Sequence, residues 1–501
     1  MSTGTIDTVE SPHQRRVRRA RRAAAALLVL AVLAAGAVLA VRRLTDDGCA
    51  PGVHRAGPHR ECVGVTDGGY VFSPELAEIS GLIRAENREA EAGGRYVSIA
   101  FLLPMTLTAA DSSTLTAVRE ELQGAHTAQR LANSGPTLGT YPKIRLLLAN
   151  SGSRSEQWAT VTDRLIALST GPDHLVAVAG FGQSLSTVHS AISRLRDAGI
   201  PTVGSTITAD EFADRRQAGF FRVAPTNSDE GQAAATHLKA TTGPGARVLV
   251  VADHNRDDLY SASLREGFTQ AASSIGLPLL DHQATYLSTP QGTGNAFLAM
   301  KEDICVARPA AVYFAGRGRD LGDFVTSMAE RPCLGDGPLT VLTGDDAVNL
   351  RQDPRMLDAL QRGRLDVRFT ALANPAQWDG EAAESPDRQG FETFRKAFTG
   401  RFPAARDLLD GQAMMGYDAT LTAVLGIRFA AGGSGDIPVN PTLALQGLLT
   451  RTGEHSVQGA SGRIDLTPSG NVRNKPMALL RLQPTGGFAF TAVVRPLATA
   501  G

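Results

Sequence analysis

HLVAVAGFGQSLSTVHSAISRLRDAGIPTVGS, residues 174–205, holds an unbroken apolar run, a glycine-rich turn, a helical stretch and a second apolar run. A strand that is apolar at nearly every position is buried on both faces, and such strands belong to parallel sheets whose crossovers are helices. The same alternation extends in both directions. VSIAFLLPM (97–105) and IRLLLAN (144–150) precede this stretch; ARVLVVAD (246–253), AAVYFAG (310–316) and LTVLTGD (339–345) follow it. TLTAVREELQGAHTAQRLAN (114–133) and SASLREGFTQAASSIG (261–276) supply helices between them. The fold class is α/β. Two such series in tandem, over 96–224 and 225–367, predict two doubly wound parallel-sheet lobes facing each other across a cleft. FFRVAPTNSDEG (220–231) leaves a strand, turns at Pro225 and opens a helix, as a crossing between lobes would.

Upstream, six arginines lie between Arg15 and Arg22, followed by nineteen uncharged residues, Ala23 to Val41, and then Arg42 and Arg43. A hydrocarbon core of roughly 30 Å needs about 20 apolar residues in a helix, so 23–41 reads as a transmembrane signal anchor. The arginine cluster places the tail, 1–22, in the cytoplasm and the rest outside the cell membrane. Ala35 and Ala37 would suit a cleaved, secreted alternative, although the apolar region of a signal peptide usually runs only about 7–15 residues. Residues 42–95 read as a juxtamembrane linker and a helix. That helix opens at Ser73-Pro74-Glu75, with an N-cap, a proline at its first position and an acid in its first turn, and ends at Gly93-Gly94.

The formal net charge is zero, yet the first 43 residues carry +6, which leaves −6 on the exported part. That balance argues against nucleic acid as a partner. The excess of arginine over lysine reflects a GC-rich coding bias rather than a function. Four cysteines in an exported chain are compatible with disulfides. Cys49 and Cys62 bracket a Gly/Pro/His loop, and Cys305 and Cys333 flank one strand–helix unit, so they are paired that way; four buried free thiols are the alternative.

The order of motifs resembles the type I periplasmic binding proteins, in particular the leucine-binding-protein-like receptors for branched-chain amino acids and amides that serve ABC transporters. Six segments carry the resemblance: VSIAFLLPMT (97–106), AVAGFGQSLST (177–187), DAGIPTVGSTITADEF (197–212), FFRVAPTNSDEG (220–231), MMGYDATLTAVLGIRFAAGG (414–433) and VQGASGRIDLTPSGNVRNKPMALLRL (457–482). Each is weak alone; six in order from Val97 to Val494 are specific. The resemblance implies a return to the first lobe over 368–457 and a closing hairpin of the second over 458–501. It also implies a three-crossover hinge near Val223–Pro225, Arg368–Ala373 and Ser456–Ser461, with hinge closure on a small ligand.

The ligand is expected beyond the carboxyl ends of the strands, where helix N-termini offer free N–H groups. Gln183 and Ser184 sit in such a turn, and Ser184 matches the family's carboxylate-binding serine. Thr208 matches the threonine that holds both ends of an amino acid, and Thr206 matches a backbone contact. Plain helix capping is the competing reading for Ser184, and a capping box with Glu211 for Thr208. Asp346 is the counter-charge for a ligand ammonium, or else a solvated loop acid; Tyr260 and Arg317 are further candidates at strand ends. Arg317 departs from the family, which often has aromatic side chains there. In the cleft it would favour an acidic or phosphate-bearing ligand; otherwise it is a surface residue.

Catalysis is not expected. Gly180-x-Gly182 and Gly316-x-Gly318 do not complete a dinucleotide fingerprint, and no H-E-x-x-H, G-x-S-x-G, C-x-x-C or P-loop is present. No cofactor and no metal are implied; His59-x-Glu61-Cys62 has no partner cysteine pair. The expected partners are an amino acid or related small polar solute, an ABC permease or a membrane signalling protein, and the membrane itself. A ligand-sensing or partner-regulating domain of the same fold is the alternative function, and fold alone does not choose between them.

Overall fold

The computed structural model describes residues 48–496, except 136–137, 214–217, 294, 351, 353, 380–384, 404–407 and 433–436, together with His13, Arg22 and Ala24. It divides into two compact units, 1–49 and 50–501. Apart from Ala24, the expected membrane segment, 23–41, lies outside the described residues; among those described, no helix is long and apolar enough to cross a membrane.

Within 50–501 two sheets form. The first is built from β1 (Val53–Ala56), β2 (Glu61–Thr66), β3 (Tyr96–Leu103), β4 (Lys143–Asn150), β5 (Leu175–Gly180), β6 (Thr202–Gly204) and β7 (Phe220–Arg222), in the spatial order β1-β2-β4-β3-β5-β6-β7. From β4 to β7 every pairing is parallel. Every residue of β5 is buried, as its unbroken apolar run requires. Helices α1 (Ala77–Ala92), α2 (Leu115–Ser134), α3 (Trp158–Ser169) and α4 (Ser186–Asp197) accompany this sheet.

The chain then crosses at 223–226 into α5 (Asn227–Thr241), which Thr226 and Asp229 open with a reciprocal capping box. The second sheet takes β8 (Val248–Asp253), β9 (Ala284–Tyr286), β10 (Ala311–Ala315), β11 (Leu339–Thr343), β12 (Leu365–Ala371), β15 (Met477–Leu482) and β16 (Phe488–Val494), in the order β9-β8-β10-β11-β12-β15-β16. Its helices are α6 (Leu259–Ile275), α7 (Ala296–Ala307), α8 (Gly318–Met328) and α9 (Pro354–Arg362). After β12 the chain returns to the first lobe as α10 (Arg388–Arg401), α11 (Gln412–Ala430) and α12 (Pro441–Leu449). Close packing of α11 on α2 depends on glycine: a Cβ at Gly416 would run into the carbonyl of Glu121, and one at Gly124 into that of Ala413.

Three features differ from the sequence expectation. The sheets are mixed rather than purely parallel, because each carries an antiparallel hairpin at one edge: β1-β2 against β4, and β15-β16 against β12. Part of the stretch read as a linker is therefore strand. Its loop-rich composition hides the alternation of Val63 and Val65, which face the core. Ser73 does not cap a helix. Its Oγ donates to the Met105 carbonyl, and a 3-10 turn, Pro74–Leu76, precedes α1. The third crossing lies at 471–476 instead of 456–461. β13 (Val457–Gly459) and β14 (Gly462–Ile464) form a separate ribbon against α10 and α11, held where the Asp418 carboxylate accepts the N–H groups of Ala460 and Ser461. The Gly470 carbonyl then accepts from Arg222 N–H, and only at Met477 does the chain join the second sheet.

Cys305 and Cys333 form a disulfide that ties α7 to the segment after α8. Cys49 and Cys62 are disulfide-bonded as well, and none of the four is free.

Candidate functional site

The carboxyl ends of both sheets meet at a small cavity lined by Gln183, Thr206 and Glu121 from the first lobe and Tyr260, Arg317, Asp345 and Asp346 from the second. Its free volume is about 20 Å³, room for roughly one water. The lobes are therefore shut on each other, and they are joined by direct hydrogen bonds. Ser112 Oγ donates to Asp346 Oδ2, Arg319 Nη1 to the Ala110 carbonyl at 3.0 Å, Tyr260 N–H to the Ser184 carbonyl at 3.2 Å, and Ser186 N–H to the Asp257 carbonyl at 3.0 Å.

Arg317 is 7% exposed, so it is not a surface residue. It stands just before α8, and its guanidinium lies 4.4 Å above the Tyr260 ring centroid. Nε donates to both oxygens of Asp258 (3.0 and 3.1 Å), Nη1 to Asp346 Oδ1 (3.2 Å), and Nη2 to Asp258 and to the Ser184 carbonyl (3.1 Å). Burial works against the cation, but Asp258 and Asp346 together outweigh it and raise its pKa. With two carboxylates on one guanidinium the cluster is net negative, so Arg317 is not an open cation for an acidic ligand.

Asp346 is in turn saturated. Oδ1 accepts from Arg317 and from Asn349 Nδ2 (3.2 Å), and Oδ2 from Ser112 and from Gly318 N–H (2.7 Å). A carboxylate offers about four acceptor positions, and all four are used. Tyr260 is the second residue of α6 rather than the end of a strand, and its hydroxyl accepts the Asp346 N–H at 3.1 Å.

The first-lobe candidates divide in the same way. Ser184 Oγ accepts from Thr208 N–H (3.2 Å) and Ala209 N–H (3.3 Å), which ties one turn to the next. It is not a helix cap, since α4 begins at Ser186 without a side-chain cap. Thr206 Oγ1 donates to the Gly182 carbonyl at 2.7 Å. Thr208 forms no capping box with Glu211. Its carbonyl accepts Asn227 N–H, and its buried hydroxyl has no partner among the described residues. Of the first-lobe candidates that line the cavity, Gln183 is the one left available: it is 8% exposed, and its Nε2 has no partner among the described residues. An unpaired buried donor at a cleft is the kind of group a ligand or water satisfies.

Glu121 and Asp345 line the same cavity, and Glu121 was not singled out from sequence. Glu121 Oε2 accepts from Ser205 Oγ at 2.6 Å, and no cation pairs with it among the described residues. Burial, with a smaller contribution from Asp410, pushes its pKa up to about 7 against the Ser205 hydrogen bond. Behind the cavity Glu230 Oε2 accepts from Asp345 N–H (3.0 Å) and Thr370 Oγ1 (2.6 Å). The buried oxygens Glu230 Oε1 and Asp345 Oδ1 have no donor among the described residues, and burial raises the pKa of both carboxyls. A signal for Glu121 existed in the sequence: it falls on the same helical face as Val118, Leu122 and Ala125, all of which are buried. Larger hollows lie between α1 and α2 and on the second lobe, but among the described residues none lining either has a buried polar side-chain atom without a partner.

Solute-binding proteins of ABC transporters are among the known proteins with this architecture. A leucine-binding protein of Thermotoga maritima matches over 80% of this chain and 99% of its own, at 19% identity and a TM-score of 0.57. The substrate-binding protein of a branched-chain amino acid transporter from Streptococcus pneumoniae, solved with isoleucine, matches over 80% and 100%, at 16% identity and 0.57. An ABC-transporter solute-binding protein of Rhodopseudomonas palustris, solved with 3,4-dihydroxybenzoic acid, matches over 81% and 99%, at 15% identity and 0.55. No curated protein matches the chain in sequence. The family model for periplasmic binding proteins matches residues 96–487, and with the two lobes and their three crossings in place, this chain belongs to the type I periplasmic binding protein family.

Proposed function

We propose that the chain is an extracytoplasmic receptor that captures a small polar solute of amino-acid type between its lobes by hinge closure and hands it to an ABC transporter. It is tethered to the cell membrane by 23–41 with its N-terminus in the cytoplasm, and it performs no catalysis. Family membership supports this reading. The observation that carries it is the cavity itself: an unpaired amide donor, Gln183 Nε2, from one lobe faces carboxyls from both. That is the complement of a solute with an acceptor at one end and a cation at the other. The solved relatives hold isoleucine or dihydroxybenzoic acid, each with a carboxylate for such a donor.

One observation favours sensing or regulation of a membrane partner. The lobes already close on their own side chains, with Arg317 filling the space between them. A thermal-shift screen of the full chain against millimolar amino acids, amides, organic acids, nucleosides and sugars decides between the two. A ligand at 100 times its dissociation constant adds about 2.7 kcal/mol. A clear shift supports solute capture; silence across the panel refutes it in favour of a cleft closed on itself.

A further inference from the structure

The cleft's charges are not balanced by its own side chains. Arg317 spends four of its five N–H groups on Asp258, Asp346 and Ser184, and Asp346 has no acceptor position left. Neither provides the open charge that an incoming ion would seek. What remains on the cavity wall is Glu121, with a hydroxyl as its hydrogen-bond partner, and Asp345, behind which the Glu230 carboxyl accepts the Asp345 N–H. Gln183 Nε2 is a neutral donor. A solute carboxylate entering here therefore meets an amide and two carboxyls whose ionisation it opposes, whereas a solute cation meets two uncompensated carboxyls, whose ionisation it favours, in a site nearly closed to water.

We propose that Glu121 is the anchor for a cationic group of the solute, and that the cleft selects solutes of net positive charge, amines or guanidines, over leucine-like zwitterions and acids. This rests on the solute-receptor reading above. The fold holds Glu121 firmly in place. The carbonyl of residue 121 abuts Gly416 of α11, and the side chain is steadied by Ser205 at the end of β6. The groups facing it are Asp410 ahead of α11 and, across the cavity, Asp345, Asp346, Tyr260 and Arg317. Opening of the hinge admits the solute, and closure brings its cation against Glu121.

The test is calorimetric titration of the full chain with L-lysine and L-norleucine, which differ by one ammonium group, together with putrescine, L-leucine and L-glutamate. Expected are binding of lysine or putrescine at least tenfold tighter than norleucine or leucine, and a loss of at least tenfold in Glu121→Gln with partial retention in Glu121→Asp. Equal affinity for lysine and norleucine, tighter binding of glutamate, or an unchanged affinity in a folded Glu121→Gln overturns the inference while leaving the receptor reading intact. The lysine–norleucine comparison needs no variant, so it stands even where a variant fails to fold. If no probe gives heat, this proposal falls together with the receptor reading beneath it.

Discussion

Replacing Arg317 by methionine tests the closed cleft directly. Among the described residues the guanidinium supplies every N–H that reaches the Asp258 carboxylate, whose only other side-chain donor is Ser261 Oγ at 2.6 Å. Methionine fills much of the volume and keeps contact with the Tyr260 ring, but it leaves Asp258 buried at 3% exposure with its charge uncompensated. Breaking one side of a buried pair costs about 3–5 kcal/mol, more than the pair itself contributes, because of the stranded charge. For a cooperative unit the size of one lobe, each kcal/mol moves Tm by about 2–4 °C, so Arg317→Met lowers it by roughly 10 °C. Differential scanning calorimetry of the single variant, of Asp258→Asn and of the double variant measures this. The double variant recovers part of the loss, since no unpaired charge remains. A single-variant Tm within about 1 °C of wild type would show a solvated guanidinium, and the account of the closed cleft would be wrong.

Glu121, raised to about 7 from 4.5 by burial, stays protonated longer in the folded chain than in the unfolded one. Its contribution to stability is therefore full below about pH 4.5 and is lost as pH rises through 7, a swing of about 3 kcal/mol. Glu121→Gln should flatten that part of the urea-melt profile between pH 5 and 8, and an unchanged profile would contradict the burial. At the β13–β14 ribbon, Asp418 accepts from Ser461 Oγ and from two N–H groups, and it lies near the buried Lys475, whose Nζ donates to the same hydroxyl at 2.7 Å. Asp418→Ala should cost about 3–5 kcal/mol in denaturant titration; a loss under 1 kcal/mol would mean that the hairpin is not held there. Cys305 and Cys333 are 28 residues apart. Their cross-link contributes about 3–4 kcal/mol in the chain-entropy model, so Cys305→Ser/Cys333→Ser should melt clearly below wild type, and equal melting temperatures would count against it.

The fold was legible because burial on both faces of a parallel strand writes itself into every position. Val176 to Ala179 and Val248 to Ala252 are apolar wherever they are buried. The edge hairpins were not legible for the converse reason. β16 has only partly buried or exposed residues, and the alternation in β2 spans too few residues to stand out from the loop around it. At the site, sequence position placed Gln183, Thr206, Tyr260, Arg317 and Asp346 on one cavity. It could not assign their roles, because a hydroxyl or a charge looks the same whether it is free or already paired.

The sequence by itself therefore determined the α/β class, the tandem lobes and the family, all of which rest on local periodicity and motif order. Only the tertiary structure decided which charges are open. Arg317 is closed off by Asp258, 59 residues before it in the chain, Asp346 by Ser112, 234 residues before it, and Glu121 is left without a cation among the described residues. Electrostatic compensation depends on distance in space, and separation along the chain does not reveal it.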